Sequence, residues 1–363
     1  MARWAARGMR VTVLKLGSLF DGIGVFPLAA VHCGMEPVWA SEIEARPISI
    51  TKRHFPDMLH LGDITKISGA EIPPVDVITF GSPCQDLSQI GTRNGFAGKK
   101  SSLFYQAMRI IEEMRYATNG RYPAFCIWEN VAGAFSSNDR LDFAAMLSAF
   151  TGAEVSVPPR GWAHAGMVRG GRADTAWRLL DAQYWGEPAL VQRRKRVFVV
   201  ADFAGQRAGE VLFKPRTVLP FSAIGGPGGL SATAGSGVPA AQTGRQVPIV
   251  RPFSLRRMRT MAQVGDQKGF CASFGRGGEP FPTLLASVTA PFSFWYEGEE
   301  RDGFLRALTP LECERLMGLP ENWTKYGCKN EEISDHARYR ALGNSIALPC
   351  AEYVMAGIAE VMN

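Results

Sequence analysis

Among its seven cysteines the sequence has no C-x-x-C pair. Cys33, Cys84, Cys126, Cys271, Cys313, Cys328 and Cys350 are odd in number and scattered, which argues against both a structural zinc site and a disulfide framework. No metal is expected, and a reducing cytoplasm fits. No stretch approaches the roughly 20 apolar residues of a membrane span, so no membrane partner is expected either. The apolar run Val11–Leu16 follows Arg3, Arg7 and Arg10 but is broken by Lys15 and is too short for a signal peptide. Residues 1–8 read as a disordered tail, with Met9 as an alternative start. Internal repeats are absent. So is the full G-x-G-x-x-G spacing of a dinucleotide loop, which counts against a nicotinamide-dependent oxidoreductase. The formal net charge of +6 permits a polyanionic partner without requiring one.

What is present is a chain of 363 residues, 46% hydrophobic, enough for one large core or two unequal ones. Short apolar runs alternate with helical patterns. Val11–Leu19 reads as a strand, then Gly22-Ile23-Gly24, then a helix to Val31. Pro37–Ala40 is a second strand, followed by a helix over Ile43–His54. Val75–Phe80 is a buried strand ending in Gly81-Ser82-Pro83, and Ser102–Arg115 is an amphipathic helix. Ala124–Trp128 and Arg196–Ala201 are further strands. This alternation predicts a parallel sheet covered on both faces. After about Gly205 the periodicity fades, and Gly225–Gly237 is rich in Gly, Ala and Ser. Regular patterning returns at Thr309-Pro310-Leu311-Glu312, a capping box with proline at the first helical position. A last apolar helix is expected over Ser345–Met362. Three regions follow: 9–204, an irregular 205–303, and a return to the first domain over 304–363.

Chemistry concentrates at a few places. Cys84 follows the turn Gly81-Ser82-Pro83 at the carboxyl end of a predicted strand, the edge where open α/β sheets hold their ligands. Read alone, a cysteine is more often a small packing residue. The polar stretch after it, Asp86–Ser101, carries Gly91, Gly95, Gly98, Arg93, Lys99 and Lys100 and can serve as a mobile, phosphate-binding loop or a plain solvated one. Glu129, in Trp128-Glu129-Asn130-Val131, closes a neighbouring strand; a buried carboxyl there can protonate or polarise a ring nitrogen, and a helix cap is the alternative. In Gln192-Arg193-Arg194-Lys195-Arg196, strand alternation turns Arg194 and Arg196 to one face, where guanidinium groups can hold a carbonyl oxygen or a phosphate. Phe20-Asp21-Gly22-Ile23-Gly24 lets the backbone approach a ligand closely. Glu42 ends the next strand, in position for ribose hydroxyls, and Asp63 lies in a later loop.

In this order the segments resemble the cytosine-5 DNA methyltransferase family. Phe20–Gly24 is similar to the family's cofactor loop, Pro83-Cys84-Gln85 to its nucleophile motif, Glu129-Asn130-Val131 to its glutamate motif, and Gln192–Arg196 to its arginine motif. Arg306–Pro310 through Gly318-Leu319-Pro320 and Gly343-Asn344-Ser345 match its closing motifs. The likeness covers most of the chain outside about Gly205–Gly303. Val25 stands where many relatives have glycine, and Ala189-Leu190-Val191 separates Pro188 from Gln192 where relatives join the two directly.

The resemblance implies a Rossmann-like α/β methyltransferase domain with a smaller, irregular target-recognition domain, S-adenosylmethionine as methyl donor and double-stranded DNA as partner. It implies that Cys84 adds to carbon 6 of a flipped-out cytosine. Glu129 would support N3, and Arg196, with Arg194 behind it, the O2 side. Phe20, Gly22, Ile23, Gly24, Glu42, Ile43, Asp63, Ile64, Pro83 and Asn344 would form the cofactor site. Of these, Phe20 packs on adenine, Glu42 takes the ribose, Asp63 the adenine amino group, and Asn344 orders the methionine end. Gln85, Ser88 and the arginines Arg251, Arg256, Arg257 and Arg259 are expected on DNA, a solvated face being the alternative for the arginines. A monomer is expected, with a cognate restriction endonuclease as an open partner. An RNA cytosine-5 methyltransferase of the same fold and a catalytically silent DNA-binding protein are the rival functions. The long 205–303 segment favours DNA over RNA, and the intact Cys84, Glu129 and Arg196 set favours an enzyme.

Overall fold

Each of the first strands is short because a turn or helix cap interrupts it within a few residues. In the computed structural model the described residues are 13–82, 103–214 and 303–362, with 249–252, 280–281, 283–284, 286 and 292–296 between them. The chain opens β1 (Lys15–Leu19), α1 (Val25–His32), β2 (Glu36–Ser41), α2 (Ala45–His54) and β3 (Leu59–His60). It continues with β4 (Val77–Phe80), α3 (Leu103–Ala117), β5 (Phe125–Val131) and α4 (Leu141–Thr151). Then come β6 (Ala165–Arg169), β7 (Asp174–Asp181), β8 (Lys195–Asp202) and α5 (Ala208–Leu212). These strands make one eight-stranded sheet in the order β3-β2-β1-β4-β5-β8-β7-β6.

The sheet departs from the all-parallel expectation. Strands β1 to β5 are parallel, but β8 runs antiparallel to both β5 and β7, and β6 is antiparallel to β7. The connection from β7 to β8 holds only a 3-10 turn, Ala182–Tyr184, and no crossover helix. A strand pair joined without a crossover reverses direction. Strand β8 is buried along almost its whole length. Its apolar run therefore looks the same in sequence whichever way it runs. Helix α4 and strands β6 and β7 were not anticipated, and β5 runs on through Glu129-Asn130-Val131, past the expected end at Trp128.

Side-chain alternation splits the core in two. Phe125 and Ile127 of β5 join the layer containing α1 and α5, whereas Cys126 and Trp128 face α3 and α4. Glu129, two residues on from Ile127, falls by the same period on the α1 side. The β1–β2 pair depends on a missing side chain. Gly17 lies opposite Trp39, and a Cβ there would sit 2.2 Å from the Trp39 ring. Trp39 is fully buried and donates from Nε1 to Pro73 O at 2.9 Å.

The described residues of the irregular region include strands. β9 (Ile249–Pro252), β10 (Phe292–Tyr296) and β11 (Gly303–Ala307) form an antiparallel three-stranded sheet. Phe281 lies along the segment that leads into β8: Phe281 N donates to Val191 O and Arg193 N to Phe281 O, both at 2.6 Å. The C-terminal return comprises α6 (Pro310–Leu316), α7 (Asp335–Asn344) and α8 (Leu348–Met362). The capping box forms as expected, Glu312 N donating to Thr309 Oγ1 at 3.3 Å and Thr309 N to Glu312 Oε2 at 2.8 Å. Helix α7 was not anticipated because its inward face carries Arg338, paired with the buried Glu314 at 3.1 Å. The expected helix over Ser345–Met362 starts at Leu348. Among the described residues no single helix is long and apolar enough to cross a membrane.

Gly17→Ala is expected to lower stability by about 1–3 kcal/mol, because the enclosed Trp39 ring has no space into which it can yield. A urea midpoint equal to the parent's would contradict this packing.

Candidate active site

The carboxyl ends of β4 and β5 lie side by side, and the catalytic candidates hang from them. Ser82, just past β4, is held from β5 by two bonds: Trp128 Nε1 donates to its Oγ at 3.1 Å and Asn130 Nδ2 to its carbonyl at 2.9 Å. Asn130 also accepts from Val131 N at 2.8 Å. Both Ser82 and Asn130 are buried, so the chain is fixed at the residue that precedes Pro83. Asn130 stood in the sequence motif without a role. The motif names its neighbour Glu129, while its own task depends on a strand that is remote in sequence.

Glu129 is buried, 8% exposed. Arg196, at the start of β8, brings Nε to 3.0 Å from Glu129 Oε1. The antiparallel β5–β8 register makes this possible by pairing Val131 with Arg196. Burial holds the Glu129 carboxyl above the usual carboxylate range, with Arg196 and then Arg194 pulling it back. A carboxyl so placed keeps its proton more readily and can donate it to a ring nitrogen.

Arg194 is 1% exposed. Its Nη1 donates to Leu284 O at 2.9 Å and its Nη2 to Gly343 O at 2.8 Å and to Ser345 O. Burial, with Arg196 next to it, lowers its pKa to about 9. The guanidinium thus ties the arginine segment to the 280–284 stretch and to the end of α7, where Asn344 is exposed. Arg194 and Arg196 do converge on Glu129, as alternation suggested, but the donors of Arg194 are directed at main-chain carbonyls.

The second group lies at the carboxyl ends of β1, β2 and β3. Phe20 has φ 54, and Gly22 and Gly24 have φ 60 and 78. A Cβ at Gly22 would meet nothing within 4 Å, so the backbone, not packing, requires glycine there. Glu42 accepts from Gly22 N at 2.9 Å, Ile43 N at 2.8 Å and Glu44 N at 2.9 Å. Ile43 is 72% exposed. Asp63 caps the turn Ile64–Lys66 by accepting from Thr65 N at 2.9 Å and Thr65 Oγ1 at 2.8 Å, and these bonds hold its carboxyl below the usual range. Ile23 and Ile64 are buried and act as core, with Ile23 O accepting from Trp323 Nε1 at 2.8 Å. Ser41 Oγ donates to Gly62 O at 2.7 Å, and Asp21 N to Ser41 O at 3.1 Å, which knits the three strand ends together. An exposed aliphatic side chain beside carboxylates at two strand ends suits an adenosine: a face for the ring and acceptors for hydroxyl and amino groups.

Pro83, Cys84, Gln85, Ser88, Arg256, Arg257 and Arg259 lie outside the described residues. Arg251 is placed by its backbone on β9, opposite Phe294. Among the described cysteines, burial pushes the thiols of Cys126 and Cys350 far up, Cys313 up to about 12 and Cys33 to about 11. None of these four is an activated nucleophile. No group of three or more His, Cys, Asp or Glu among the described residues is placed to hold a metal ion.

Strand order reverses between β1 and β4, and carboxylates stand at the ends of β2 and β5 beside a glycine loop. That is the arrangement of an α/β methyltransferase. The family model for C-5 cytosine-specific DNA methylases matches residues 14–213 and 257–360, and the chain belongs to that family. The Type II methyltransferase M.HhaI of Haemophilus parahaemolyticus is 22% identical, over 98% of this chain and 97% of that protein. A DNA N-6-adenine-methyltransferase of Escherichia phage P1 is 24% identical over 460 residues; the chain spans 60% of that protein's length. Among solved structures, the S. pombe Dnmt2 methyltransferase has a TM-score of 0.56 at 16% identity, covering 97% of this chain and 100% of that one. A DNA modification methyltransferase from an E. coli prophage gives 0.58 at 18% identity, covering 96% and 99%. These structures support the fold.

Gly81 supplies a direct check on the Glu129 geometry, since a Cβ there would lie 3.2 Å from Glu129 Oε2. Gly81→Ala is expected to slow single-turnover methyl transfer by about tenfold to a hundredfold, through displacement of the carboxyl. An unaltered rate would show that Glu129 needs no such placement.

Proposed function

We propose that the chain methylates carbon 5 of a cytosine flipped out of duplex DNA, through a covalent adduct on Cys84. The observation that carries this reading is the buried Glu129 carboxyl against Arg196, one strand away from the anchored turn that leads to Cys84. S-adenosylmethionine, when bound, supplies an electrophilic methyl group. Phe20, Gly22, Gly24, Glu42, Ile43 and Asp63 hold it from the ends of β1 to β3, with Ile23 and Ile64 supporting from the core and Pro83 and Asn344 closing the methionine end.

The chain's own residues do the rest. The Cys84 thiolate adds to carbon 6, and the ring's electron pair moves toward carbon 5. Glu129 donates to N3 and Arg196 to O2, so negative charge does not build on the ring. After carbon 5 takes the methyl group it loses its proton to a base, the returning pair expels Cys84 as thiolate, and N3 gives its proton back to Glu129. Arg194 stands behind Arg196 and holds it through the main chain. The base must leave the duplex, at about a few kcal/mol, before any of this begins.

Region 205–303 is proposed as the target-recognition region between the catalytic parts 9–204 and 304–363. Arg251, Arg256, Arg257 and Arg259 are its candidate DNA contacts, joined by Gln85 and Ser88 from the catalytic part. A cytoplasmic monomer is proposed, and the Type II names of several relatives make a partner restriction endonuclease part of the proposal.

Duplex DNA carrying 5-fluorocytosine should trap the parent protein covalently, since fluorine at carbon 5 cannot leave as the proton does. Cys84→Ser should abolish trapping, and Cys126→Ser should retain it. Trapping by Cys84→Ser would remove Cys84 from the mechanism. The methylated nucleoside should be 5-methylcytosine in duplex DNA. N6-methyladenine, or transfer confined to tRNA, would replace this function with another. For the arginines, the alanine variant of a base reader should relax the methylated sequence at one position. The variant of a phosphate contact should flatten the salt dependence by roughly one unit of slope. Methylation sequencing and a salt series that match the parent for all four would make them a solvated face.

A further inference from the structure

The sheet edge that carries Glu129 and Arg196 continues past them. Arg196 pairs with Val131, Lys195 with Asp181, and Arg178 with Ala165. The start of β8, the end of β7 and the start of β6 therefore line up with the end of β5. On β8, Val197 and Val199 face α3 and α4. Lys195 falls on that face by the same period and is exposed. Helix α4 ends at the opposite edge, where Arg172 N donates to Thr151 O at 2.9 Å, so its start lies at this one. Arg140, just before α4, and Arg160, in the segment that leads to β6, are both exposed.

The chain holds these two arginines in place. Asn138, Asp139 and Arg140 have φ 47, 52 and 74. Asparagine and aspartate enter this left-handed region readily, whereas for arginine it costs about 1–2 kcal/mol. Two anchors keep the turn in shape. Ser137 Oγ and Asn138 Nδ2 donate to the buried Asp142 at 2.5 and 3.1 Å. Trp162 Nε1 donates to Arg140 O at 3.0 Å. The Trp162 ring is itself fixed, edge-on to Phe143 at 5.0 Å and to Trp177 at 5.9 Å between centres. Trp177 Nε1 in turn donates to Ala163 O at 2.9 Å. A Cβ at Gly161 would come 3.0 Å from Arg140 Cζ, so the guanidinium lies over the bare glycine next to Arg160.

Other exposed arginines are paired: Arg172 with Glu112 at 2.6 Å, Arg315 with Glu321 at 2.5 Å and Arg340 with Glu44 at 3.1 Å. Among the described residues the side chains of Arg140, Arg160 and Lys195 have no hydrogen-bond or ion-pair partner. A guanidinium held over a glycine and left facing water has lost freedom without gaining a protein partner. Its donors suit a phosphate. A row of such charges that starts beside the catalytic pair fits a partner that carries phosphate along its length.

We propose that Arg140 and Arg160, continued by Lys195, bind backbone phosphates of duplex DNA on one flank of the target cytosine. This rests on the reading of the chain as a DNA methyltransferase, and it adds a contact made by the catalytic part to those of region 205–303. Three strand spacings, roughly 14 Å, separate β5 from β6. Phosphates of one strand advance about 3.4 Å each, so the contact falls about four base pairs from the target. The test is binding of the parent to duplexes centred on its methylated site and shortened stepwise from either side, read by fluorescence anisotropy with S-adenosylhomocysteine present. Cutting one flank to within about four base pairs should weaken binding on the order of tenfold. The double variant Arg140→Gln/Arg160→Gln should bind the full duplex as weakly as the parent binds the shortened one. It should lose nothing more on shortening, and its salt dependence should flatten by roughly two units of slope. Arg160→Gln alone, at a side chain bonded to no described residue, should flatten it by about one. A parent indifferent to the length of both flanks, a comparison that needs no variant, would overturn the proposal. So would a double variant with the parent's affinity and slope, or one weakened equally on full and shortened duplexes, since that loss would come from the fold. Failure of the parent to bind any duplex would instead overturn the DNA reading on which the proposal rests.

Discussion

The antiparallel seam between β5 and β8 is the constraint on which the site depends. In a fully parallel sheet the end of β5 would face the end of another strand, and residues entering that strand would lie at the opposite edge. Because β8 runs the other way, the basic residues that open it arrive where β5 finishes. Val131 opposite Arg196 sets the register, and Glu129 then meets the Arg196 guanidinium at 3.0 Å. A slip of one residue would turn Arg196 to the other face of the sheet and leave a buried carboxyl unpaired. The reversal is imposed by the short β7–β8 connection, so topology and acid–base chemistry share one cause.

Arg194 extends that seam into the rest of the molecule. Its guanidinium is buried beside another arginine, an unfavourable place for a charge, and carbonyls from two other segments compensate. Leu284 comes from the region proposed to select DNA, Gly343 from the end of α7 and Ser345 from just beyond it. A buried arginine whose Nη1 and Nη2 bond in this way fixes three pieces of chain to one point. Docking of the 280–284 segment and placement of Arg196 are therefore mechanically connected, since Arg194 and Arg196 are two residues apart on one backbone.

Much of this was legible in the sequence where the residue type itself carried the chemistry. Glu129, Arg196, Glu42 and the Phe20–Gly24 loop could be read because each stands at a strand end within a recognisable local pattern. The partners were not legible. No local pattern says that Asn130 will hold Ser82, or that Arg194 will find the carbonyls of Leu284 and Gly343, because those contacts depend on how distant strands align. Strand direction was misread for the same reason. β8 is apolar on both faces, and nothing in such a run marks which way it points. The β10 segment, Phe292–Tyr296, was passed over because Phe294-Trp295-Tyr296 is a continuous aromatic run that does not alternate. Helix α7 was missed because an inward arginine broke its apolar stripe. Asp21 was read only as part of a glycine loop. Its burial appears only in the fold, where both carboxylate oxygens are enclosed.

The central claim is that the Glu129–Arg196 pair receives the cytosine ring after Cys84 has attacked it. A crystal structure of the protein trapped on duplex DNA containing 5-fluorocytosine tests it most directly. The account predicts the target ring outside the helix, with Cys84 Sγ bonded to carbon 6, the Glu129 carboxyl against N3 and the Arg196 guanidinium against O2. A ring bonded to another residue, or one seated with Glu129 and Arg196 still closed on each other and away from it, would contradict the account.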